Sequence, residues 1–239
     1  MSKESPYKIL SVGGSIIIPK TGFDVKFLKK FRQLILSRVR KGDKFVLVIG
    51  GGATCRAYQN ALTQAIKLPN RQLHWLGIYT TWFNAEFVRL LFSGKYVYES
   101  VIKNPTDKIV TNKSIIIAGG WKPGFSTDTD SVLLAKQFCA KEVLNLSNID
   151  YVYDKDPNKF SNTKKIEKIN WKDFRKNIVG YKWLPGKNSP FDPIASGLAD
   201  KLGLKVMIMN GNNLAEVRKA LEGRRFKGTV IQSFDTLST

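Results

Sequence analysis

The sequence IIIAGGWKPGFSTDTDSVLLA, residues 115–135, joins a continuous apolar run to a helical pattern through a loop rich in glycine and hydroxyl groups. Residues 115–118 predict a buried strand, and the apolar residues 132–135 predict one face of a helix. Free backbone N–H groups and the positive end of a helix dipole favour phosphate binding in such a loop. The alternative is an ordinary strand-to-helix turn capped by Thr127 or Asp128. This stretch alone leaves both interpretations open.

Two earlier apolar strands also end in glycines. Residues 7–12 run into Gly13-Gly14-Ser15, and residues 45–49 run into Gly50-Gly51-Gly52. Ligands bind at the carboxyl ends of the strands in open parallel sheets, so this repetition predicts a ligand site at one edge of a sheet. The spacing matches neither the P-loop nor the G-x-G-x-x-G fingerprint, so any phosphate is bound by another scheme.

The rest of the chain alternates strand and helix patterns. Further strands are predicted at residues 143–146, 206–209 and 229–231, with a weaker one at 97–101, and helices at 27–39, 76–92, 193–202 and 214–221. Residues 158–187 are polar and basic and give no sign of a separate core. This alternation predicts a single α/β domain over residues 1–239, with a mostly parallel sheet covered by helices on both faces.

Composition excludes several classes of protein. The net charge is +20, from 39 Lys and Arg against 19 Asp and Glu, but basic residues are spread over every segment, so nucleic-acid binding is not predicted as the main function. No apolar run reaches the roughly 18 residues of a membrane span, and the N-terminus lacks the apolar core of a secretory signal, so a cytoplasmic protein without a membrane partner is expected. Cys55 and Cys139 are expected to be small buried hydrophobes rather than a disulfide or a metal site.

Six motifs follow one another along the chain. They are Val12-Gly13-Gly14-Ser15; Val48-Ile49-Gly50-Gly51-Gly52 with Arg56; Gly119-Gly120 with Pro123-Gly124 and Ser126-Thr127-Asp128; Ser147-Asn148-Ile149-Asp150 with Val152-Tyr153 and Asp156-Pro157; Asp192-Pro193 with Ala195; and Gly228-Thr229 with Ile231. Together they resemble the amino acid kinase superfamily and, within it, the UMP kinases of the archaeal type. The resemblance extends from about Lys8 to Ile231 and implies a three-layer αβα sandwich.

The same resemblance implies ATP-dependent phosphorylation of UMP to UDP, with Mg²⁺ as a cofactor and a hexamer built from dimers. It assigns catalytic roles to Arg56 and Asp128. The implied ATP site comprises Gly14, Ser15, Gly52, Arg56, Ser147, Asn148, Tyr153 and Asp156. The implied UMP site comprises Gly51, His74, Trp121, Lys122, Pro123, Gly124, Phe125, Ser126 and Thr127.

Phosphoryl transfer needs positioning and charge neutralisation more than covalent chemistry. The acceptor phosphate oxygen is already ionised at neutral pH, so no general base is required. Mg²⁺ is expected to bridge the ATP phosphates and to retain several waters, and no metal-binding residue of the protein is predicted. Lysines near the loops are candidates for stabilising the charge of the transition state: Lys122, Lys155, Lys164 and Lys165.

Four positions depart from the family pattern. His74 stands where an acidic residue usually contacts the nucleotide sugar, Trp82 replaces an arginine, Trp121 replaces a small or hydroxyl residue, and Ser11 replaces a charged residue. Three of these lie on the acceptor side. Two alternatives therefore stay open: a kinase of the same fold with another small phosphate or carboxylate acceptor, and a non-catalytic nucleotide-binding or storage protein. The aromatic residues around Trp82 are expected to pack in the core or at a subunit interface.

Overall fold

The computed structural model describes residues 7–157, 159–182 and 189–234. Its strands are β1 Lys8–Val12, β2 Phe45–Ile49, β3 Ile115–Ala118, β4 Glu142–Ser147, β5 Val152–Tyr153, β6 Lys165–Ile166, β7 Lys168–Ile169, β8 Lys205–Asn210 and β9 Thr229–Ile231. Seven of them form one sheet in the order β3-β2-β1-β4-β8-β9-β7, and β5 pairs antiparallel with β6. Within the large sheet only β8 and β9 pair antiparallel, which confirms the predicted mostly parallel sheet.

Helices cover both faces of this sheet. They are α1 Gly14–Ile17, α2 Val25–Val39, α3 Gly52–Ala65, α4 Asn70–Leu91, α5 Thr127–Gln137, α6 Trp171–Phe174, α7 Pro193–Lys201 and α8 Leu214–Leu221, with a π-helical turn at Arg175–Val179. Alternate strand residues enter opposite cores, since side chains of a strand point to its two faces in turn. Leu10 and Leu47 pack with α2, α4 and α8, whereas Ile9 and Val46 pack with α5, α6 and α7. The predicted three-layer αβα architecture is confirmed.

Side chains cap the N-termini of α2 and α5. Asp24 accepts a hydrogen bond of 2.9 Å from the N–H of Phe27 and caps α2. Helix α5 is capped by Ser126, which accepts from the N–H of Thr129, so the prediction of Thr127 or Asp128 as the cap was wrong. Thr127 is the first residue of the helix, and the side chain of Asp128 is not used as a cap, so it can make other contacts.

Two further predictions need correction: the strand at residues 97–101 and the burial of the two cysteines. Residues 97–101 form no strand, because only Val97 and Ile102 make isolated bridges to β3. The polar segment 158–187, described apart from residues 158 and 183–187, contributes the fully buried Trp171 and Phe174 to the common core, which agrees with the prediction that it has no separate core. Cys139 is exposed and Cys55 is half-buried. Cys139 lies just past the end of α5 and has a left-handed φ of 53°, a conformation common where helices end.

In the described part of the chain no helix combines the length and apolar character that crossing a membrane requires.

Candidate active site

The first two glycine loops touch through their backbones. A Cβ added to Gly14 would lie 2.1 Å from the nitrogen of Gly52 and 2.5 Å from the oxygen of Gly50. Gly52 also has a φ of 64°, which L side chains rarely adopt. Such close packing is available only to glycine, so the repeated glycines predicted at this edge of the sheet do come together there.

Helix α3 opens at this contact. In the described structure Gly51 provides no side-chain cap and the first turn carries no acidic residue. The N–H of Ala53 donates to the backbone oxygen of Ile18 at 3.2 Å, so the N–H groups of Gly52 and Thr54 are the ones available to an anion. One turn further, Nη2 of the exposed Arg56 donates a hydrogen bond of 3.0 Å to Oγ of Ser15. The structure therefore brings Gly14, Ser15 and Arg56 together at the opening between the two glycine loops. This opening, called the mouth below, presents donors that suit phosphate.

A buried asparagine holds the second glycine loop. Nδ2 of Asn84, on α4, donates to the backbone oxygens of Gly50 at 3.0 Å and Gly51 at 2.9 Å. Asn84 is completely buried, and its Oδ1 has no hydrogen-bond partner among the described residues. Sequence reasoning missed this residue, although an amide on the apolar face of a predicted helix is a signal of a specific buried bond.

Helix α4 also holds the loop that follows β3. Oγ1 of Thr81 accepts from the N–H of Gly120 at 2.7 Å, and Nε1 of Trp82 donates to the oxygen of Gly120 at 2.6 Å. A Cβ on Gly119 would lie 2.7 Å from Cδ1 of Trp82. Trp82 thus holds this loop in place through a hydrogen bond. The prediction of core or subunit-interface packing for the aromatic residues of this helix did not anticipate that role.

The tip of that loop is aromatic and cationic. The rings of Trp121 and Phe125 lie 4.6 Å apart between centroids, and Nζ of Lys122 lies 3.8 Å from the centroid of Trp121. A pocket of 560 Å³ opens beside it, lined by Arg71, His74, Trp75, Lys122, Pro123 and Gly124. The structure therefore brings His74 to the predicted acceptor loop. Arg71 and Trp75 were missed by sequence reasoning, and only their helical spacing from His74 could have indicated them.

Asp128 joins three segments beneath the loops. Its Oδ1 accepts from Oγ of Ser11 at 3.2 Å and from Nδ2 of Asn145 at 3.3 Å, and its Oδ2 accepts from the N–H of Asp192 at 3.1 Å. The residue as a whole is half-buried, but these donors enclose its carboxyl group. Burial raises the pKa of Asp128 to about 6, and the charge of Asp192 adds to this, while the bonds from Asp192 and Ser11 act in the opposite direction.

Asp130 is a second buried carboxyl group, which sequence reasoning overlooked. Its Oδ2 accepts from the N–H of Trp121 at 3.0 Å, and its Oδ1 has no hydrogen-bond partner among the described residues. Burial raises the pKa of Asp130 to about 7, and the charge of Asp128 adds to this, against the effect of the bond from Trp121. The only sequence signal is its place two residues after Asp128 on the buried side of α5.

The residues predicted for adenine and ribose follow β4. Ser147 ends that strand, and a Cβ on Gly13 would lie 3.8 Å from its Cα, so this segment adjoins the first glycine loop. Asn148 and Asp156 are exposed, and Tyr153 is half-buried in β5. These residues do not line the pocket of 560 Å³ beside the acceptor loop.

The four candidate lysines have different surroundings. Lys122 covers the Trp121 ring, and Nζ of Lys155 lies 5.8 Å from the centroid of Phe160. Nζ of Lys165 lies 2.7 Å from Glu167, while Lys164 is exposed. Of these, Lys122 alone lines the described pocket beside the acceptor loop.

The chain is an α/β protein whose parallel sheet has a candidate anion-binding site at one edge. The touching glycine loops, the start of α3 and Arg56 form this site, which is of a kind typical of phosphoryl-transfer enzymes. Residues 6–210 match the model of the amino acid kinase family, so the chain belongs to this family, as the motifs predicted. The chain is 31% identical to a uridylate kinase of Methanococcus aeolicus, over 93% of this chain and 98% of that protein. It is 28% identical to a uridylate kinase of Methanospirillum hungatei, over 95% and 94%.

Solved structures have the same fold. The crystal structure of uridylate kinase from Archaeoglobus fulgidus matches with a TM-score of 0.77 and 22% identity, covering 94% of this chain and 99% of that one. UMP kinase from Bacillus anthracis matches with a TM-score of 0.73 and 22% identity, covering 95% and 97%. These matches support the three-layer architecture.

Proposed function

We propose that this protein transfers the γ-phosphoryl group of ATP to UMP and so forms UDP and ADP. The observation that carries the proposal is the meeting of two glycine loops at the open start of α3, with Arg56 bonded to Ser15 across the mouth. Relatives named uridylate kinase match nearly the whole chain, which favours UMP over other acceptors.

ATP lies on the side of β1 and β4 in this proposal. Backbone N–H groups of Gly14 and Gly52, with Ser15 and Arg56, bind its phosphates, because amides, a hydroxyl and a guanidinium match phosphate oxygens in charge and geometry. The surface after β4 receives the adenine and ribose through Ser147, Asn148, Tyr153 and Asp156.

UMP occupies the other side of the mouth. Its phosphate lies against Gly51, and its nucleoside lies in the pocket of 560 Å³ beside the loop at residues 121–127. Arg71 and Lys122 give this pocket a positive charge, and the described residues that line it include no carboxylate, so its field attracts the nucleotide, which is an anion as a whole. The ring of Trp75, which lines the pocket, offers a face for a pyrimidine.

The chain contributes geometry and charge to the transfer. An ionised phosphate oxygen of UMP attacks the γ-phosphorus, the bond from that phosphorus to the bridging oxygen breaks, and ADP leaves without any proton being removed. Arg56 neutralises charge on the equatorial oxygens. We assign Asp128 a role in positioning the segments around the site. Both of its carboxyl oxygens already accept hydrogen bonds, from Ser11, Asn145 and the N–H of Asp192.

Magnesium would arrive with ATP. Among the described residues no three His, Cys, Asp or Glu side chains form a group that could hold a metal ion. The mouth presents N–H groups, a hydroxyl and a guanidinium, which match phosphate rather than a cation, so the proposed Mg²⁺ is held by phosphate oxygens and water. It would neutralise phosphate charge.

A single domain over residues 1–239, a cytoplasmic location and a hexamer built from dimers complete the proposal. Exposed aromatic side chains of α4, with Tyr79 at 54% and Phe83 at 72% exposure, are available to another copy of the chain.

A test is the release of ADP from ATP with a panel of acceptors: UMP, CMP, dUMP, isopentenyl phosphate, glutamate and carbamate. The expected result is the highest kcat/KM with UMP. A preference for one of the last three acceptors would support a related kinase instead, and ADP release with none of them would contradict an enzymatic function.

A further inference from the structure

A cavity of 630 Å³ lies at the edge of the sheet opposite to the glycine loops. Lys8, Glu142 and Lys205, which line it, are the first residues of β1, β4 and β8. The glycine loops follow the last residues of these parallel strands, so the cavity and the proposed nucleotide site are separated by the length of the sheet. The proposed phosphoryl transfer leaves this cavity without a role.

The floor of the cavity is apolar. Leu144 and Met207, from adjacent strands, lie on the sheet face that α2 and α8 cover, and with 1% and 3% exposure they form the closed bottom of the cavity. The half-buried Phe226 and Val230 provide the accessible apolar surface beside them. A flat apolar group of a ligand would displace water from Phe226 and Val230 and gain hydrophobic contact.

The rim of the cavity is positively charged. Five basic residues line it, Lys8, Arg38, Lys168, Lys205 and Arg224, against the two acidic residues Glu142 and Glu222. Arg224 and Arg38 share Glu222 at 2.6 Å and 3.5 Å, and Lys205 pairs with Glu142. Asp43 lies just outside and pairs with Lys8 and Arg38, which still leaves two positive charges in excess.

Lys168 is the least neutralised of these cations. It is exposed, its Nζ lies 4.7 Å from the centroid of the Phe234 ring, and it pairs with no carboxylate among the described residues. A cation placed beside an apolar floor provides the second element of an amphipathic binding site.

We propose that this cavity is a binding site for a small organic anion with a flat apolar body. The apolar body lies on Phe226 and Val230, above the buried Met207, and the anionic group lies at Lys168 and Arg224. The volume falls within the range of about 300–1,000 Å³ that is usual for small-molecule sites. The inference does not depend on the identity of the phosphate acceptor at the other edge.

Met207 provides a direct probe of occupancy. The chain has three methionines, of which Met207 lines the cavity, while Met209 is buried two residues further along β8 and does not. Naphthalene-1-sulfonate is titrated into protein carrying ¹³C-methyl methionine. The expected result is a saturable shift of the Met207 methyl signal that excess ATP does not reverse. A silent Met207, or displacement of the probe by ATP, would overturn the proposal.

Charge variants and partial ligands test the two halves of the site. Lys168→Glu and Arg224→Glu, two exposed residues, are each expected to raise the Kd of the probe about tenfold, while the matched control Lys172→Glu, exposed on α6 and outside the cavity, changes it less than about twofold. Inorganic sulfate and 1-naphthalenemethanol, which each carry one half of the probe, are expected to bind far more weakly. Equal effects of all three variants, or equal binding of the uncharged alcohol, would contradict the proposal.

Discussion

The backbone N–H of Trp121 donates a hydrogen bond of 3.0 Å to Oδ2 of Asp130, so a completely buried carboxyl group holds the loop on the proposed acceptor side. On α4, Thr81 accepts a hydrogen bond from the N–H of the neighbouring Gly120, and Trp82 donates one to its oxygen. Residues 120–121 are therefore fixed from two elements, α4 and α5. The geometry of the acceptor pocket depends on both.

Asp130→Leu removes the acceptor for Trp121 and is expected to raise the KM for UMP about tenfold, because one buried hydrogen bond is lost and an N–H is left unpaired. The KM for ATP should change little, since the residues proposed to bind ATP lie on other loops. Steady-state kinetics with each substrate varied in turn measures the effect. Asp130→Asn keeps an acceptor oxygen and serves as the matched control. An equal rise in both KM values would show a general loss of structure instead.

The two buried carboxyl groups make the stability of the protein depend on pH. Burial raises the pKa of Asp128 to about 6 and of Asp130 to about 7, from an ordinary value of 3.8. A group with a raised pKa binds its proton more tightly in the folded state than in the unfolded state. Its contribution to stability is therefore full below about pH 4 and is lost as the pH rises through about 6 and 7.

The free energy of unfolding should accordingly fall between about pH 4 and about pH 7, by an amount on the order of a few kcal/mol. Urea denaturation at a series of pH values measures it. Asp130→Asn removes one of the two titrating groups, so its curve should be flatter. A variant with the same slope as the original protein would mean that Asp130 does not titrate in this range.

Arg56→Ala is expected to lower kcat about 10²–10³-fold, as the loss of one preorganised donor to the transferred phosphoryl group does in other enzymes. Arg56 is exposed and bonds to Ser15, so the thermal midpoint should stay nearly unchanged. Arg56→Lys retains the charge but lacks the planar guanidinium group, so its kcat should lie between those of the original protein and Arg56→Ala. A large loss of thermal stability in Arg56→Ala would make Arg56 a structural residue.

The sequence predicted the glycine loops well because their signal is local. Each loop directly follows a buried apolar strand, and in a parallel sheet all such loops share one edge. The roles of Asn84, Trp82 and Asp130 were missed for the opposite reason. Asn84 bonds to Gly50, 34 residues away, and Trp82 bonds to Gly120, 38 residues away, so their function depends on how α4 packs against the loops. Helical periodicity placed Trp82 on α4 without indicating which segment it would meet.

Cys139 and the α5 cap illustrate a smaller error of the same kind. A pattern of residue types predicted a buried cysteine and a cap at Thr127 or Asp128, whereas the helix begins one residue earlier, at the cap Ser126. The shift leaves the Asp128 carboxyl free to bond with Ser11, Asn145 and Asp192. A difference of a single residue in a helix boundary thus decides whether this carboxyl caps the helix or connects three segments.

Gly14→Ala tests the contact between the two glycine loops. Its Cβ would lie 2.1 Å from the nitrogen of Gly52 and 2.5 Å from the oxygen of Gly50, and backbone atoms on both sides leave no flexible side chain that could yield. The loops must separate, so ATP binding measured by calorimetry is expected to be lost, together with several degrees of the thermal midpoint.

Ser15→Ala is the control at the next position. It removes only the hydroxyl that accepts from Arg56, so ATP should bind less than about tenfold more weakly and the thermal midpoint should not move. If Gly14→Ala bound ATP as tightly as Ser15→Ala does, the close approach of the two loops would not be needed for the phosphate site. The proposed role of Gly14 and Gly52 would then be wrong, even if the enzyme remained a kinase.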